Sequence, residues 1–174
     1  MSYTSYTAKA ARSSKGALFV LLLALVATSP AQESEVMLKV EGDVQTALAL
    51  TAGDLARMPR ATLTREEDGQ TVKYEGVLVR DILQKAGVPL GREMTGKPMA
   101  SYLLATARDG YQVVFALPEI DPAFMGAEVL AADRRNGVAL YPTQRPIQLI
   151  APQDKMRARS VYSLTKLEVV RLRK

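Results

Sequence analysis

Short runs that are rich in apolar residues and are separated by polar or turn-forming residues recur along the chain, which predicts a protein built mainly from short strands. Residues 36–41 and 47–50 are predicted as the first two strands. A short helix is predicted to begin at Thr51, whose hydroxyl can accept backbone N–H groups while Asp54 stands in capping-box position. Pro59 is expected to end this helix.

Two β-hairpins are predicted because an Asp-Gly pair separates two extended runs in each case. The pairs are Asp68-Gly69, between residues 61–67 and 70–76, and Asp109-Gly110, between residues 100–107 and 111–117. In the first hairpin, Val72 and Tyr74 alternate with polar residues. One face of this hairpin is therefore expected to be buried and the other exposed.

Residues 79–86 form the clearest predicted helix, since apolar residues recur there at helical spacing and Gly87 follows as a stop signal. Residues 118–122 are predicted as an irregular turn with a short helix. Further strands are predicted at 128–132, 147–151 and 160–172, with residues 133–137 closing the first of them. Many strands with few short helices make the fold class α+β in a single domain.

The N-terminal segment, residues 1–31, has the layout of a secretory signal peptide. Three basic residues precede an apolar run of 13 residues, and Ser29-Pro30-Ala31 predicts cleavage between Ala31 and Gln32. A membrane-spanning helix would need ~20 apolar residues, so an uncleaved anchor is the weaker interpretation. We therefore expect a periplasmic or secreted domain over residues 32–174, with no stable membrane span.

Composition excludes several classes of function. The leader carries three basic residues and no acid, so the net charge of +5 falls to +2 without it, which gives no case for nucleic-acid binding. The chain has no cysteine and no histidine. Disulfides and metal sites built from those residues are therefore excluded. Neither a serine triad nor a glycine-rich phosphate loop can be assembled.

The order of segments resembles the sulfite-oxidase-type molybdopterin-binding domain family. The segments that carry the resemblance are LTAGDLARMP (50–59), YEGVLVRDILQKAG (74–87), ARDGYQVVFAL (107–117), DRRNGVAL (133–140), PIQLIAP (146–152) and KMRARSVYSLTKLE (155–168). The resemblance implies a mixed, sheet-rich fold in enzymes that carry a pterin-bound molybdenum and exchange oxygen atoms or electrons with small molecules.

Three departures from the family pattern bear on the cofactor. The resemblance implies a cysteine ligand on the segment before the YEGV motif, where this chain has Thr64 or Arg65. Neither side chain can replace a soft thiolate. The family's pterin contacts often include histidine, which is missing here, and the lysine that often follows the ARSV run is Tyr162.

The leader supports the same interpretation. Exported molybdenum enzymes of this family typically carry a twin-arginine signal because the cofactor is inserted before export. This leader has a single Arg12 and no Arg-Arg pair. It resembles a general secretory signal, whose passengers cross the membrane unfolded and without a cofactor.

Basic residues in the matched segments are the candidate binding residues. Lys155, Arg157 and Arg159 alternate before the last strand, where the family's cofactor pocket lies, and could hold a phosphate, sulfate or carboxylate. A solvated basic loop is the alternative. Arg108, at a hairpin tip, and Arg134, at the pocket rim, complete the set, although residues 133–137 also fit a simple polar turn.

Other residues near these segments are weaker candidates for a binding site. Tyr111 is predicted as a core or pocket-wall residue. Glu66, Glu67 and Asp68 are three successive acids, but successive strand residues point to opposite faces and converge poorly, so a hairpin tip in water is the better interpretation.

The sequence therefore predicts an exported, metal-free member of this fold that binds a small anion or a periplasmic protein partner. No cofactor, no catalytic residue and no metal site are expected. The alternative is a molybdopterin-dependent oxidoreductase with atypical metal ligation, and a purely structural envelope protein is a third interpretation. Whether the protein is an enzyme is left open, with a binding role preferred.

Overall fold

The computed structural model describes residues 1–2 and 35–172. The predicted leader and its cleavage after Ala31 lie outside the described part of the chain. Among the described residues, no helix combines the length and hydropathy needed to cross a membrane.

Ten strands and three short helices make up the described domain. The strands are β1 (Val36–Gly42), β2 (Leu48–Thr51), β3 (Ala61–Glu67), β4 (Gln70–Leu78), β5 (Ser101–Ala107), β6 (Gln112–Ala116), β7 (Leu130–Arg135), β8 (Val138–Ala139), β9 (Gln148–Ile150) and β10 (Leu164–Arg171). The helices are α1 (Ala52–Ala56), α2 (Val79–Lys85) and α3 (Leu117–Ile120), and three short 3-10 turns lie at Gly91–Glu93, Lys97–Ala100 and Arg157–Arg159.

The strands form two sheets, of which the first is mixed and the second is antiparallel. The first has the order β2-β1-β10-β5-β6, in which only the β1–β10 pair is parallel. The second has the order β3-β4-β7-β8, with β9 also paired to β7. This sheet-rich α+β architecture confirms the predicted fold class.

A continuous apolar core joins the two sheets and α2. It includes Leu38 and Leu103 from the first sheet, Val77 and Leu149 from the second, and Ile82 from α2, all at most 1% exposed. A second, smaller cluster packs around Tyr74 on the other side of the second sheet. The helix therefore contributes its predicted apolar stripe to the centre of the domain.

Local turn and cap chemistry follows the sequence. The Thr51 hydroxyl accepts the Asp54 N–H at 3.2 Å, and the Asp54 carboxylate accepts the Thr51 N–H at 2.9 Å, which completes the predicted capping box. Asp68 and Gly69 adopt φ values of 50° and 78°, as a two-residue hairpin turn requires.

Two strand predictions were wrong at their boundaries. The strand predicted at 128–132 lies at Leu130–Arg135, so residues expected to form the closing turn extend it instead. The strand predicted at 160–172 begins only at Leu164. Ser163 has a φ of 49°, a conformation that a strand does not tolerate, and the 3-10 turn Arg157–Arg159 occupies the segment before it.

Candidate functional site

A cavity of about 310 Å³ opens between the β5–β6 hairpin tip and the segment that precedes β10. We call it the tyrosine cavity. Its side chains come from Ala107, Asp109, Tyr111, Gln148, Arg157, Ala158, Ser160 and Tyr162. The volume is at the lower end of the range of small-molecule sites.

Arg65 lies behind this cavity because of the register of the β3–β4 hairpin. Its strand pairs antiparallel with β4, with Arg65 opposite Val72 and Thr64 opposite Lys73. Arg65 takes an inward position and is 8% exposed, whereas Thr64 faces solvent. Of these two neighbouring residues, only Arg65 is therefore buried.

Ser160 connects Arg65 to the cavity wall. The Arg65 Nη1 group donates a hydrogen bond to the Ser160 Oγ at 2.6 Å, and the Ala151 N–H donates to the same oxygen at 3.3 Å. No carboxylate within the described residues lies close enough to form an ion pair with Arg65. Arginine residues are seldom buried to this degree unless they are paired with an acid.

Gln148 supplies a second unusual feature. It is 2% exposed, it lines the cavity from β9, and its Oε1 atom has no hydrogen-bond partner among the described residues. An unpaired buried acceptor costs about 1–3 kcal/mol. The Oε1 atom itself is sealed from solvent, so a bound group reaches it only if the side-chain amide turns.

Two tyrosines form the outer wall. Tyr111 donates a hydrogen bond from its hydroxyl to the Ala158 carbonyl at 2.7 Å, and this contact ties the hairpin tip to the 3-10 turn. Tyr162 is about half exposed at the cavity rim. The predicted pocket-wall position of Tyr111 agrees with this geometry.

Arg157 reaches the cavity beside an acidic group. Its guanidinium lies 4.0 Å from the Glu67 carboxylate and 3.5 Å from that of Asp68. Glu67 is engaged more closely elsewhere, since it accepts the Tyr74 hydroxyl at 2.9 Å and an Arg135 N–H at 3.2 Å. Arg157 is thus only loosely neutralised by these two acids.

Arg159 is held by internal pairs. Its guanidinium donates two hydrogen bonds to Asp154, forms a 2.8 Å ion pair with Glu119 and lies 4.5 Å over the Phe115 ring. The bonds to Asp154, followed by those to Glu119, raise the pKa of Arg159 above its ordinary value. Arg159 fixes the 3-10 turn and does not line the tyrosine cavity.

The remaining candidates lie elsewhere. Arg134 is exposed on the β7–β8 hairpin, where it donates to the Gly137 carbonyl at 3.2 Å, and Lys155 is exposed. Neither residue lines the tyrosine cavity. Arg108 lines a different and larger cavity. Of the five predicted cations, only Arg157 therefore faces this site.

The acids of the first hairpin do not form a joint site. Glu67 points inward to Arg135, Asp68 is 85% exposed at its side chain, and Glu66 accepts the Thr71 hydroxyl. No group of three or more acidic side chains in the described part of the chain is placed to hold a metal ion.

Sequence reasoning missed Gln148 and Ser160. Gln148 interrupts an otherwise apolar buried run, PIQLIAP, and a polar residue in such a run is a usable signal. Ser160 gave no signal, because its role depends on Arg65, which lies 95 residues away in the sequence.

Comparison with solved structures supports the fold. The crystal structure of the sulfane dehydrogenase SoxCD from Paracoccus pantotrophus matches with a TM-score of 0.61 and 23% sequence identity. The match covers 76% of this chain and 37% of that chain, so this chain spans well under half of its structural neighbour.

Comparison by sequence gives one clear result. No curated protein matches the chain. The model of the oxidoreductase molybdopterin binding domain family matches residues 26–174, which include all ten strands and every residue of the tyrosine cavity. The chain therefore belongs to the oxidoreductase molybdopterin binding domain family.

Proposed function

We propose that this protein is an exported, metal-free binding domain that holds a small oxyanion in the tyrosine cavity. The observation that carries the proposal is Arg65, which is 8% exposed as a residue, has no carboxylate partner among the described residues and donates to Ser160 at the cavity wall. A bound anion would supply the missing negative charge through one intervening hydroxyl.

Ser160 is suited to transmit this charge. Its oxygen already accepts two N–H groups, from Arg65 and from Ala151, so its own O–H is left to donate to a ligand. A hydroxyl that accepts from a cation is a stronger donor to an anion, because each hydrogen bond in such a chain polarises the next.

Arg157 can supply a direct charged contact. Its 3.5 Å and 4.0 Å ion pairs are long, and its side chain is 51% exposed. Exposed ion pairs of this kind contribute about 0–1 kcal/mol. Turning the guanidinium from these acids to a bound oxyanion therefore costs little, and a planar guanidinium can grip two oxygen atoms at once.

Gln148 narrows the choice of anion. If its side-chain amide turns so that Oε1 meets the ligand, that ligand must donate a hydrogen bond as well as accept several. Hydrogen phosphate retains an O–H group at neutral pH, whereas sulfate does not. The proposed site is therefore expected to prefer hydrogen phosphate, or another oxyanion that keeps a proton, to sulfate.

The family's molybdenum cofactor does not fit these residues. A molybdenum–pterin centre of this family uses a thiolate, and the chain contains no cysteine. At the aligned position, the buried residue is the permanently charged Arg65, which has no lone pair to offer a metal. The donor chemistry present suits an anion and not a metal cation.

A molybdopterin-dependent oxidoreductase with atypical ligation remains the second candidate, because the family assignment favours it. Fold alone does not determine activity, since one fold carries many functions. Measurement of molybdenum and pterin in the purified protein separates the two candidates.

Calorimetric titration of inorganic phosphate and of sulfate into the purified protein tests the anion site. Phosphate is expected to bind, and Ser160→Ala and Arg157→Gln are each expected to weaken it by about tenfold or more. Lys155→Gln is the matched control, because Lys155 is exposed and lines neither cavity. Equal binding by all variants, or stronger binding of sulfate than of phosphate, would contradict the proposal.

A further inference from the structure

A second and larger cavity, of about 770 Å³, lies on the outer surface of the first sheet. We call it the basic cleft. Four cations line it, Lys39, Arg108, Arg145 and Lys166, together with a single carboxylate, Glu35. None of its lining residues is shared with the tyrosine cavity. The cleft is therefore a separate site that the proposed function leaves unexplained.

The register of three strands places the two lysines. Lys39 of β1 lies directly opposite Lys166 of β10, and Lys166 lies opposite Thr106 of β5. Like charges directly opposite one another on paired strands are unfavourable. Lys166 is offset by Glu168 at 2.9 Å and Glu41 at 3.1 Å, whereas Lys39 has no ion pair within the described residues.

Ser163 brings the two arginines to the same edge. Its carbonyl accepts the Arg108 N–H at 2.9 Å, and its own N–H donates to the Gln144 carbonyl at 3.2 Å, next to Arg145. Both guanidinium groups are exposed. Neither forms an ion pair with an acid in the described part of the chain. Arg145 donates its Nε–H to the Leu140 carbonyl at 2.8 Å, so its Nη groups and the Arg108 guanidinium are left to bind a ligand that enters the cleft.

The wall between the cations is apolar. Val36 and Met37 of β1, Ala52 at the start of α1, and Pro146 before β9 contribute to it. A simple inorganic ion would leave this surface exposed to water, whereas a ligand with a hydrocarbon body would cover it. Burial of apolar area on binding stabilises a complex.

We propose that the basic cleft binds an organic anion with an apolar body, such as a medium-chain carboxylate. The acid group would lie among Lys39, Arg108 and Arg145, and the hydrocarbon would cover Met37 and Pro146. The site is independent of the oxyanion site, because the two cavities have different walls.

Titration of decanoate below its micelle concentration, followed by calorimetry, tests this site. Decanoate is expected to bind, and acetate and 1-decanol are each expected to bind at least about tenfold more weakly, since each lacks one half of the interaction. Binding to vesicles that contain an anionic lipid is measured separately, because a membrane surface also combines negative charge with hydrocarbon.

Two variants test whether decanoate binds in the basic cleft. Arg108→Gln and Lys39→Gln replace exposed side chains, so they are expected to fold normally and to weaken decanoate by about tenfold. Arg92→Gln, outside both cavities, and Ser160→Ala, in the tyrosine cavity, are expected to leave it unchanged. The proposal is overturned if Arg108→Gln and Lys39→Gln bind decanoate as the wild type does, if acetate binds equally well, or if only vesicles bind.

Discussion

The Arg65 Nη1 group donates a 2.6 Å hydrogen bond to the Ser160 Oγ across 95 residues of sequence. This contact connects the β3–β4 hairpin to the segment before β10, and it places a positive charge directly behind the wall of the tyrosine cavity.

Arg65→Met is expected to separate stability from binding. Arg65 has no acidic partner that its removal would leave unpaired, so replacing it with an apolar side chain of similar length is not expected to destabilise the fold. The variant is therefore expected to unfold at an equal or higher denaturant concentration than the wild type, while its affinity for phosphate falls by about tenfold. Arg65→Lys, which keeps the charge, is the control. Retained phosphate affinity in a stable Arg65→Met protein would refute the role of this charge.

Arg159→Ala is expected to lower the stability of the folded protein. The substitution removes two bonds to Asp154, the ion pair with Glu119 and the contact over Phe115. Charge-assisted bonds of this kind contribute about 1.5–3 kcal/mol each, so chemical denaturation should show a loss of about 2 kcal/mol or more. Arg157→Ala, whose pairs are long and exposed, should lose less than about 1 kcal/mol. Equal losses in the two variants would contradict these assignments.

Gly76→Ala is expected to destabilise the domain severely. A Cβ atom at this position of β4 would lie 2.1 Å from the Ala131 carbonyl oxygen and 2.6 Å from the Ala132 Cα, and neither backbone atom can move without disturbing β7. We expect a loss of about 3 kcal/mol or more in denaturant unfolding. Gly69→Ala meets no atom within 4 Å and should lose only about 1–2 kcal/mol, from its positive φ.

The capping box of α1 predicts a pH dependence. The hydrogen bond from the Thr51 backbone N–H is the largest cause that lowers the pKa of Asp54 below its ordinary value. The ionised carboxylate therefore stabilises the fold above the unfolded-state pKa of about 4, and this contribution is lost as the pH falls through the lower folded-state value.

Asp54→Asn tests this dependence. The variant should unfold more readily than the wild type at pH 7, and the difference should shrink as the pH is lowered below about 4. Urea unfolding at several pH values measures it. A difference that is the same at every pH would show that the carboxylate charge of Asp54 does not stabilise the helix.

The elements that were predicted correctly depend on local chemistry. The Asp68-Gly69 turn, the Thr51–Asp54 cap and the apolar stripe of α2 each follow from residues within a few positions of one another. The predicted beginning of β10 was wrong because Ser163 has a positive φ. That conformation is set by hydrogen bonds to the segments around Arg108 and Gln144, which are distant in the sequence and leave no local pattern.

The candidate site was predicted only in part. Arg157 lines the tyrosine cavity, whereas Arg159 forms ion pairs with Asp154 and Glu119. Residue type alone cannot distinguish a cation that meets a ligand from one that meets an acid. Arg134 and Arg135 show the same limit, since neighbouring strand positions point to opposite faces and only Arg135 reaches Glu67.

Metal and pterin analysis of the protein, purified from cells that express the full chain with ample molybdate, tests the central claim most directly. If the domain is metal-free, the protein should contain far less than one molybdenum atom per chain and should show no pterin fluorescence after denaturation. It should also bind phosphate in a way that depends on Ser160. Molybdenum at close to one atom per chain, with a bound pterin, would contradict the account.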